Sequence, residues 1–299
     1  MTHKALRLAG LMLPLLLTAC ATPQNNYDPI EPVNRGVFAF NRAVDRAVLR
    51  PVAQTYVDYV PGPVKDGTSN FFSNIDDLFG SVAALFQGKF SEAGTGAGRV
   101  LVNTTFGMFG LFDWGTRMGL EKGNADFGQT LGHWGVGSGP YLMVPFYGPL
   151  TLRDTADPLV RLTWGPIDYI DPLAGQIAYY GVYFVDARSR LLPLDAMLDS
   201  QIDPYAYMRD AYLQARWNKV YDGQPPHPLQ LGDDDDDDIA PTASGVAAEA
   251  ASAAAAIDPS ASASASASAS ASASASASAP ASATASEPAE APAPATATP

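Results

Sequence analysis

Cysteine and histidine are almost missing from this 299-residue chain, which holds one Cys and three His. A single Cys excludes an internal disulfide framework. His3 lies in the N-terminal leader, which leaves His133 and His227, too few for a Cys/His zinc cluster. Charge is also scarce, at 16% of residues, and basic residues are outnumbered, 18 Lys+Arg to 31 Asp+Glu. No basic patch of the kind that binds nucleic acid is present. After the leader, no segment offers the ~20 apolar residues that a membrane-spanning helix needs. Catalytic signatures are missing as well. Ser138 sits in GVGSGPY, but a nucleophile elbow needs Gly where Val136 and Pro140 stand. The same glycines lack the strand, lysine and spacing of a dinucleotide or phosphate loop. Asp126-Phe127-Gly128 spells a kinase tripeptide without any other kinase element. Arg153, Asp154 and Asp157 form one candidate acid–base set, against which stands the favoured reading of a helix cap with a surface ion pair. No catalytic residue, cofactor or metal site is expected. His133, beside Trp134, is expected to be a packed interfacial side chain rather than a base.

The two ends of the chain are unlike its middle. Lys4 and Arg7 precede an apolar run from Leu8 to Leu17 that is too short to span a bilayer but fits the core of a secretory signal. The run ends in Leu17-Thr18-Ala19-Cys20, which resembles a bacterial lipobox, so residues 1–19 are expected to be a lipoprotein signal, with lipidation at Cys20. Acyl chains contribute about 0.8 kcal/mol per buried CH₂, so several of them anchor a protein firmly. Residues 20–26 then form a lipidated linker. Residue 21 is Ala rather than Asp, which for a Gram-negative lipoprotein implies sorting to the outer membrane. At the other end, residues 233–299 run through six aspartates into Ala/Ser and Ala/Pro repeats. Such a tract cannot bury enough surface to offset the entropy of ordering it, and disorder is expected there. Its aspartates lack the Gly and terminal Glu of an EF-hand loop and read as a solvated acidic run. Residues 20–232 alone have a net charge of −5, so most of the chain's acidity belongs to the tail.

Residues 27–232 carry the pattern of a helical domain. Val33, Val37, Phe40, Val44 and Val48 form one apolar stripe after Pro32, and Pro51 is expected to close that helix. Phe71-Phe72 fall on a short helix; Ser73 or Asn74 caps the next, whose stripe runs from Ile75 to Phe86 before Gly88. Gly94 and Gly98 share a face and predict a close helix contact in the helix opened by Ser91-Glu92. Asn124 is the expected cap of a short helix through ADFGQTLGHW. GVGSGPYLMVPFYGP predicts a loop or irregular hairpin. Thr151 with Asp154 resembles a capping box, and Asp-Pro pairs at 171–172 and 203–204 start two further helices. No alternating strand run appears, and the fold class is mainly α. Each stripe alone suits a soluble bundle. The density of Phe, Tyr, Trp and Leu on helices with few charges points instead to a membrane interface, where aromatic residues concentrate and amphipathic helices lie in the plane of a leaflet. VNTTFGMFGLFDWG, residues 102–115, is the extreme case: too greasy for a soluble loop, too polar for a span.

The blocks EPVNRGVFAFNRAVDRAVLRPVAQTYVDYVP, VKDGTSNFFSNIDD, LFQGKF, GRVLVNTTFGMFGLFD, DFGQTLGHWGVGSGPYLMVPFYGP, TLRD and DPYAYMRDAYLQARWNKVYDG resemble, in this order, the MlaA/VacJ lipoproteins. The resemblance runs from about residue 27 to residue 223 and departs locally at TADPLV after Asp154, while the Asp/Ala/Ser tail lies outside it. It implies a ring- or disc-like bundle of amphipathic helices lying in the inner leaflet of the outer membrane, with an amphipathic channel. It implies that phospholipid is taken from the outer leaflet and passed to a periplasmic carrier resembling MlaC, beside a trimeric porin, without covalent chemistry. Two alternatives remain at this point: an outer-membrane phospholipase, and a structural lipoprotein that stabilises a porin. Polar residues on otherwise greasy helices, Asn34, Asn41, Asn70, Asn74, Arg99 and Asn103, are candidates for channel lining or, alternatively, for helix caps and interhelix hydrogen bonds, the second reading being favoured for Asn74. The glycine- and proline-rich stretch with Gly135, Gly137, Gly139, Pro140 and Pro145 is the candidate mobile element at the channel mouth.

Overall fold

The computed structural model describes residues 21–166 and 170–232, so the expectations for Cys20 and for the acidic tail lie outside the described residues. The chain enters through a short 3-10 turn and reaches helix α1, Glu31–Val44. Proline at the second position of α1 costs nothing, because no intrahelical partner awaits its missing N–H. Pro51 does not end this helix. A π-helical turn, Asp45–Leu49, widens the coil just before it, with Arg50 N–H donating to Asp45 C=O, and helix α2, Arg50–Tyr59, continues the same rod. A proline in an ordinary α register forfeits one hydrogen bond and pushes its ring against the carbonyl four residues back. The wider π turn absorbs both defects.

Helix α3, Gly62–Phe86, is a single rod of 25 residues rather than the two helices expected, and Asn74 is a buried mid-helix residue that donates to the Thr104 hydroxyl at 3.1 Å, an interhelix bond rather than a cap. It pairs with α4, Phe90–Thr105, across the left-handed Gly88. Their close approach sits at Gly96, not at Gly94 and Gly98: a Cβ on Gly96 would overlap the Ser81 hydroxyl, whereas one on Gly94 would meet nothing. Ala83, Ala84, Ala93 and Ala125 fill the seam with small side chains, which lets the backbones come near. Short helix α5, Trp114–Arg117, follows, capped by Asp113, and then α6, Phe127–His133, capped by Asp126 rather than Asn124, with the Asp126 carboxylate accepting from Gln129 N–H at 2.7 Å. Strands β1, Tyr141–Val144, and β2, Gly148–Thr151, form an antiparallel hairpin in which Tyr141 faces Thr151 and Val144 faces Gly148. After helix α7, Ala156–Trp164, and helix α8, Leu173–Leu191, the chain makes a short helix α9, Asp195–Asp199, and ends in α10, Pro204–Val220. Asp203 starts α10 as expected, its side chain accepting from the amides of Tyr205 and Ala206.

Two asparagines join the hairpin to α1. Asn34 donates to Tyr141 C=O at 3.0 Å and accepts from Met143 N–H at 2.9 Å. Two turns later, Asn41 donates to Val144 C=O at 3.0 Å and accepts from Phe146 N–H at 2.9 Å. The carboxamide mimics a peptide group, so the helix presents the hairpin edge with the partners a third strand would offer. Around this joint lies the main apolar core, Phe38, Tyr141, Met143, Tyr205, Tyr212 and Leu213, drawn from α1, β1 and α10. Leu229 and Leu231 of the segment after α10 fold back onto it, and Gly232 N–H reaches Asn26 Oδ1 at 2.8 Å. The two ends of the described chain, from residue 21 and to residue 232, therefore meet at one place.

Inside and outside are close to exchanged. Among the described residues, seventeen polar or charged residues are buried against sixteen hydrophobic ones, while thirty large hydrophobic side chains are exposed. Burying such a side chain contributes roughly 1.5–3 kcal/mol in water, and monomeric soluble proteins expose few contiguous apolar patches. The interior is instead tied by ion pairs. Arg216 contacts Asp126 at 2.6 and 2.9 Å and Asp154 at 2.8 and 3.0 Å, fastening α10 to α6 and to the turn before α7. Burial would raise both carboxyl pKa values, but the Arg216 guanidinium, with Lys219 at Asp126 and Arg153 at Asp154, holds them below the ordinary value. The Arg153–Asp154 pair is thus a buried structural joint, not the surface pair expected, and His133 is exposed rather than packed. No helix of the described residues is long and apolar enough to cross a membrane.

Candidate functional site

A cavity of about 250 Å³ opens between α1 and its π turn on one side and the hairpin, α8 and α9 on the others. Its wall is apolar, with Phe38, Met143, Phe184, Leu191, Leu194 and Met208. Its charged side is built by one helix face: Arg42, Arg46 and Arg50 recur every fourth residue and stack along one edge, joined by Arg188 from α8. Three aspartates stand against these four arginines. Arg188 forks onto Asp45 at 2.6 and 2.9 Å and reaches Asp195 at 2.8 Å. Arg50 meets Asp195 at 3.0 Å and Asp199 at 3.6 Å, Arg46 meets Asp199 at 3.3 Å, and Arg42 pairs with the same carboxylate. Slight burial works to raise the Asp199 pKa, but Arg42, Arg46 and Arg50 together hold it below the ordinary carboxylate value. The arrangement is amphipathic: a greasy chamber with a cationic ladder on one edge, able to seat a molecule with an anionic end and a hydrocarbon body.

Of the sequence candidates, Asn41 lines this cavity while clamping the hairpin tip. Asn34 is buried beside it, donating also to Asp28 at 2.7 Å, and is not among the residues lining this cavity. Arg99, Asn70 and Asn103 lie elsewhere, beneath residues 106–113. Arg99 is spent on Asp77 at 2.8 Å, on Asp113 at 3.2 Å, on the Thr116 hydroxyl at 2.9 Å and on Leu120 C=O at 2.8 Å. Asn103 accepts from Gly115 N–H at 2.8 Å, and Asn70 donates to Leu111 C=O at 3.1 Å. Above this polar base, Phe106, Met108, Phe109 and Phe112 all point outward, each more than half exposed. Gly110, at φ +93°, turns the loop where a Cβ would collide with Asn74. The segment quoted as 102–115 is thus a greasy knob fixed from below by polar groups.

The glycine-rich stretch divides. Gly148 and Pro149 of the hairpin, with Phe146 and Tyr147, line the first cavity. Gly135 and Gly137 instead border a second hollow of about 150 Å³ with Arg153, Trp217 and Tyr221. Gly139 turns at φ +67°, Pro140 is buried where Tyr141 N–H meets Tyr27 C=O at 2.7 Å, and Pro145 is exposed at the hairpin tip. The arginine ladder is masked in the sequence by the apolar stripe on the same helix. Its signal was nonetheless present in NRAVDRAVLR, a cation at every fourth position.

A sequence model of the family described as MlaA lipoprotein matches residues 26–219. The Intermembrane phospholipid transport system lipoprotein MlaA of Escherichia coli (strain K12) is 34% identical over 219 residues, covering 70% of this chain and 86% of that protein. Its counterpart of the same description in Haemophilus influenzae is 32% identical over 237 residues, covering 73% and 91%. A solved structure described as "Structural basis for maintenance of bacterial outer membrane lipid asymmetry" is 36% identical, with a TM-score of 0.58, and covers 64% of this chain and 98% of its own.

Proposed function

The chain belongs to the MlaA lipoprotein family, and from that premise we propose that it carries phospholipid out of the outer leaflet of a bacterial outer membrane toward the periplasm. In this reading Cys20 bears the lipid anchor, the helices lie in the periplasm-facing leaflet, and the exposed aromatic side chains meet acyl chains instead of water. The exposed knob of residues 106–112 faces hydrocarbon, and its polar base satisfies the backbone groups that lipid cannot. The cavity is part of the passage. At about 250 Å³ it is smaller than the ~300–1,000 Å³ of drug-sized ligand sites, so it takes the headgroup end while the chains remain among the apolar surfaces. No bond need be made or broken, only a path that is polar on one side and apolar on the other. The hairpin tip, held to α1 by the half-buried Asn41 alone while Asn34 pins the strand below it, is the part of the passage suited to move. A trimeric porin beside the disc and a soluble periplasmic lipid carrier that receives the cargo complete the reading.

The single observation that carries it is the exchanged surface: thirty large hydrophobic side chains outside, and an apolar chamber with a charged edge within. Ala187 of α8 lines that chamber and offers a test. Ala187→Phe takes up space in the chamber and leaves all four arginines in the sequence. It is expected to abolish phospholipid removal from the outer leaflet in cells while the purified protein unfolds at the wild-type temperature. Normal removal by a normally folded Ala187→Phe protein overturns the passage.

A further inference from the structure

The charged edge of the cavity does not balance. Four guanidinium groups face three carboxylates, leaving one surplus positive charge beside an apolar chamber. Two further details locate it. Nη1 of Arg188 is buried and has no hydrogen-bond partner, although the rest of that guanidinium is committed to Asp45 and Asp195. Arg46 has the loosest pairing of the ladder that involves its primary contact, 3.3 Å to an Asp199 that also serves Arg42 and Arg50, and its side chain is the most exposed of the four. A buried N–H with no acceptor costs free energy in the empty protein and repays it when an oxyanion arrives. Arginine forks match phosphate geometry, with two parallel donors at once.

We infer that Arg188 and Arg46, at the edge of this cavity, seat a phosphate-class oxyanion, that of a phospholipid headgroup, with the glycerol against Phe184, Leu191 and Met208. This rests on the passage proposed above and names the group by which that passage recognises its cargo. Asp199 is the internal competitor: its carboxylate holds the place on Arg42 and Arg46 that the incoming phosphate takes over. A lipid without phosphate gives the surplus cation nothing to pair with and leaves Asp199 where it is.

The test uses the full chain in maltoside micelles, titrated with dihexanoyl phosphatidylglycerol, with dihexanoylglycerol, which lacks the phosphate, and with inorganic phosphate alone. The phospholipid is expected to bind at least tenfold tighter than the diglyceride, which is about 1.4 kcal/mol. Arg46→Gln removes the surplus charge and brings that ratio down to threefold or less, and Arg188→Lys, which keeps the charge but loses the fork, also lowers it. Asp199→Asn removes the competitor and raises the ratio, a gain that a merely structural salt bridge would not produce. Inorganic phosphate competes only at concentrations far above those of the phospholipid. Equal binding of the two lipids by the wild type, or a ratio that none of the three variants changes, overturns the phosphate seat and leaves the passage standing. Competition by inorganic phosphate as effective as that by the phospholipid makes this a free-anion site and overturns the lipid assignment. Failure of both lipids to bind overturns the seat and the passage together.

Discussion

Replacing Asn34 and Asn41 by alanine, one at a time, separates two hydrogen-bonding side chains that do the same work in different surroundings. Each gives one donor and one acceptor to the hairpin edge. Asn34 is 2% exposed, and its loss leaves Tyr141 C=O, Met143 N–H and one oxygen of Asp28 short of a partner where water has no access. At roughly 1 kcal/mol for each group, the low end for a buried unsatisfied atom, Asn34→Ala costs about 3 kcal/mol. For a domain of this size that lowers the melting temperature by roughly 6–12 °C. Asn41 is only half-buried, and water can take its place on Val144 C=O and Phe146 N–H, so Asn41→Ala costs about 1 kcal/mol or less. The loosened strand end in Asn41→Ala, however, borders the cavity, and the Phe146 amide is expected to exchange hydrogen faster while that of Met143 stays protected. Thermal unfolding followed by circular dichroism, with hydrogen exchange read residue by residue, checks both halves. Equal melting temperatures for the two variants would refute the argument that burial decides the cost.

Three further outcomes follow from the same structure. Arg216→Met strands Asp126 and Asp154 in the interior and is expected to cost about 3–5 kcal/mol in denaturant unfolding, the range for breaking a buried pair from one side; a loss under 1 kcal/mol contradicts the buried joint. Asp154 has a folded-state pKa below its unfolded value of about 3.9, so its contribution is fully present above that pH and is lost as pH falls through the depressed value. The stability difference between wild type and Asp154→Asn should accordingly be constant from pH 7 to 5 and shrink below about pH 3.9, and a difference independent of pH removes the ion-pair explanation. Gly139→Ala places a side chain at φ +67° and is expected to cost about 1–2 kcal/mol, whereas Gly137→Ala meets open space at a φ any residue adopts and is expected to be neutral in the same melting assay.

Punctuation residues were legible where a single local rule applied. Asp203-Pro204 opens α10, and Asp222 and Gly223 turn left-handed just beyond its end, as their types dictate. The reading failed where one residue's effect depended on its neighbours' coil. Pro51 sits inside a continuous rod because the π turn before it removes the clash, and that turn leaves no mark in composition. Asn74 does not cap a helix but makes the interhelix hydrogen bond that was its other expected use, because its partners, Thr104 and the loop at Gly110, lie thirty or more residues away. The site was partly legible in kind: polar residues on greasy helices did signal hydrogen bonding, and Asn34, Asn70 and Asn103 each bond a loop or hairpin backbone group. The arginine ladder was visible as spacing but not as a site, because Asp195 and Asp199, which define its charge balance, come from α9, some 150 residues further along the chain.

The measurement that bears most directly on the passage follows a labelled phospholipid placed in the outer leaflet of cells that lack outer-membrane phospholipases, with and without this protein. The account predicts that intact lipid reaches the inner membrane only when the protein is present, and that Ala187→Phe stops it. Protein-dependent lysophospholipid would make the protein a phospholipase, and arrival of intact lipid at the same rate with and without the protein would contradict the passage outright.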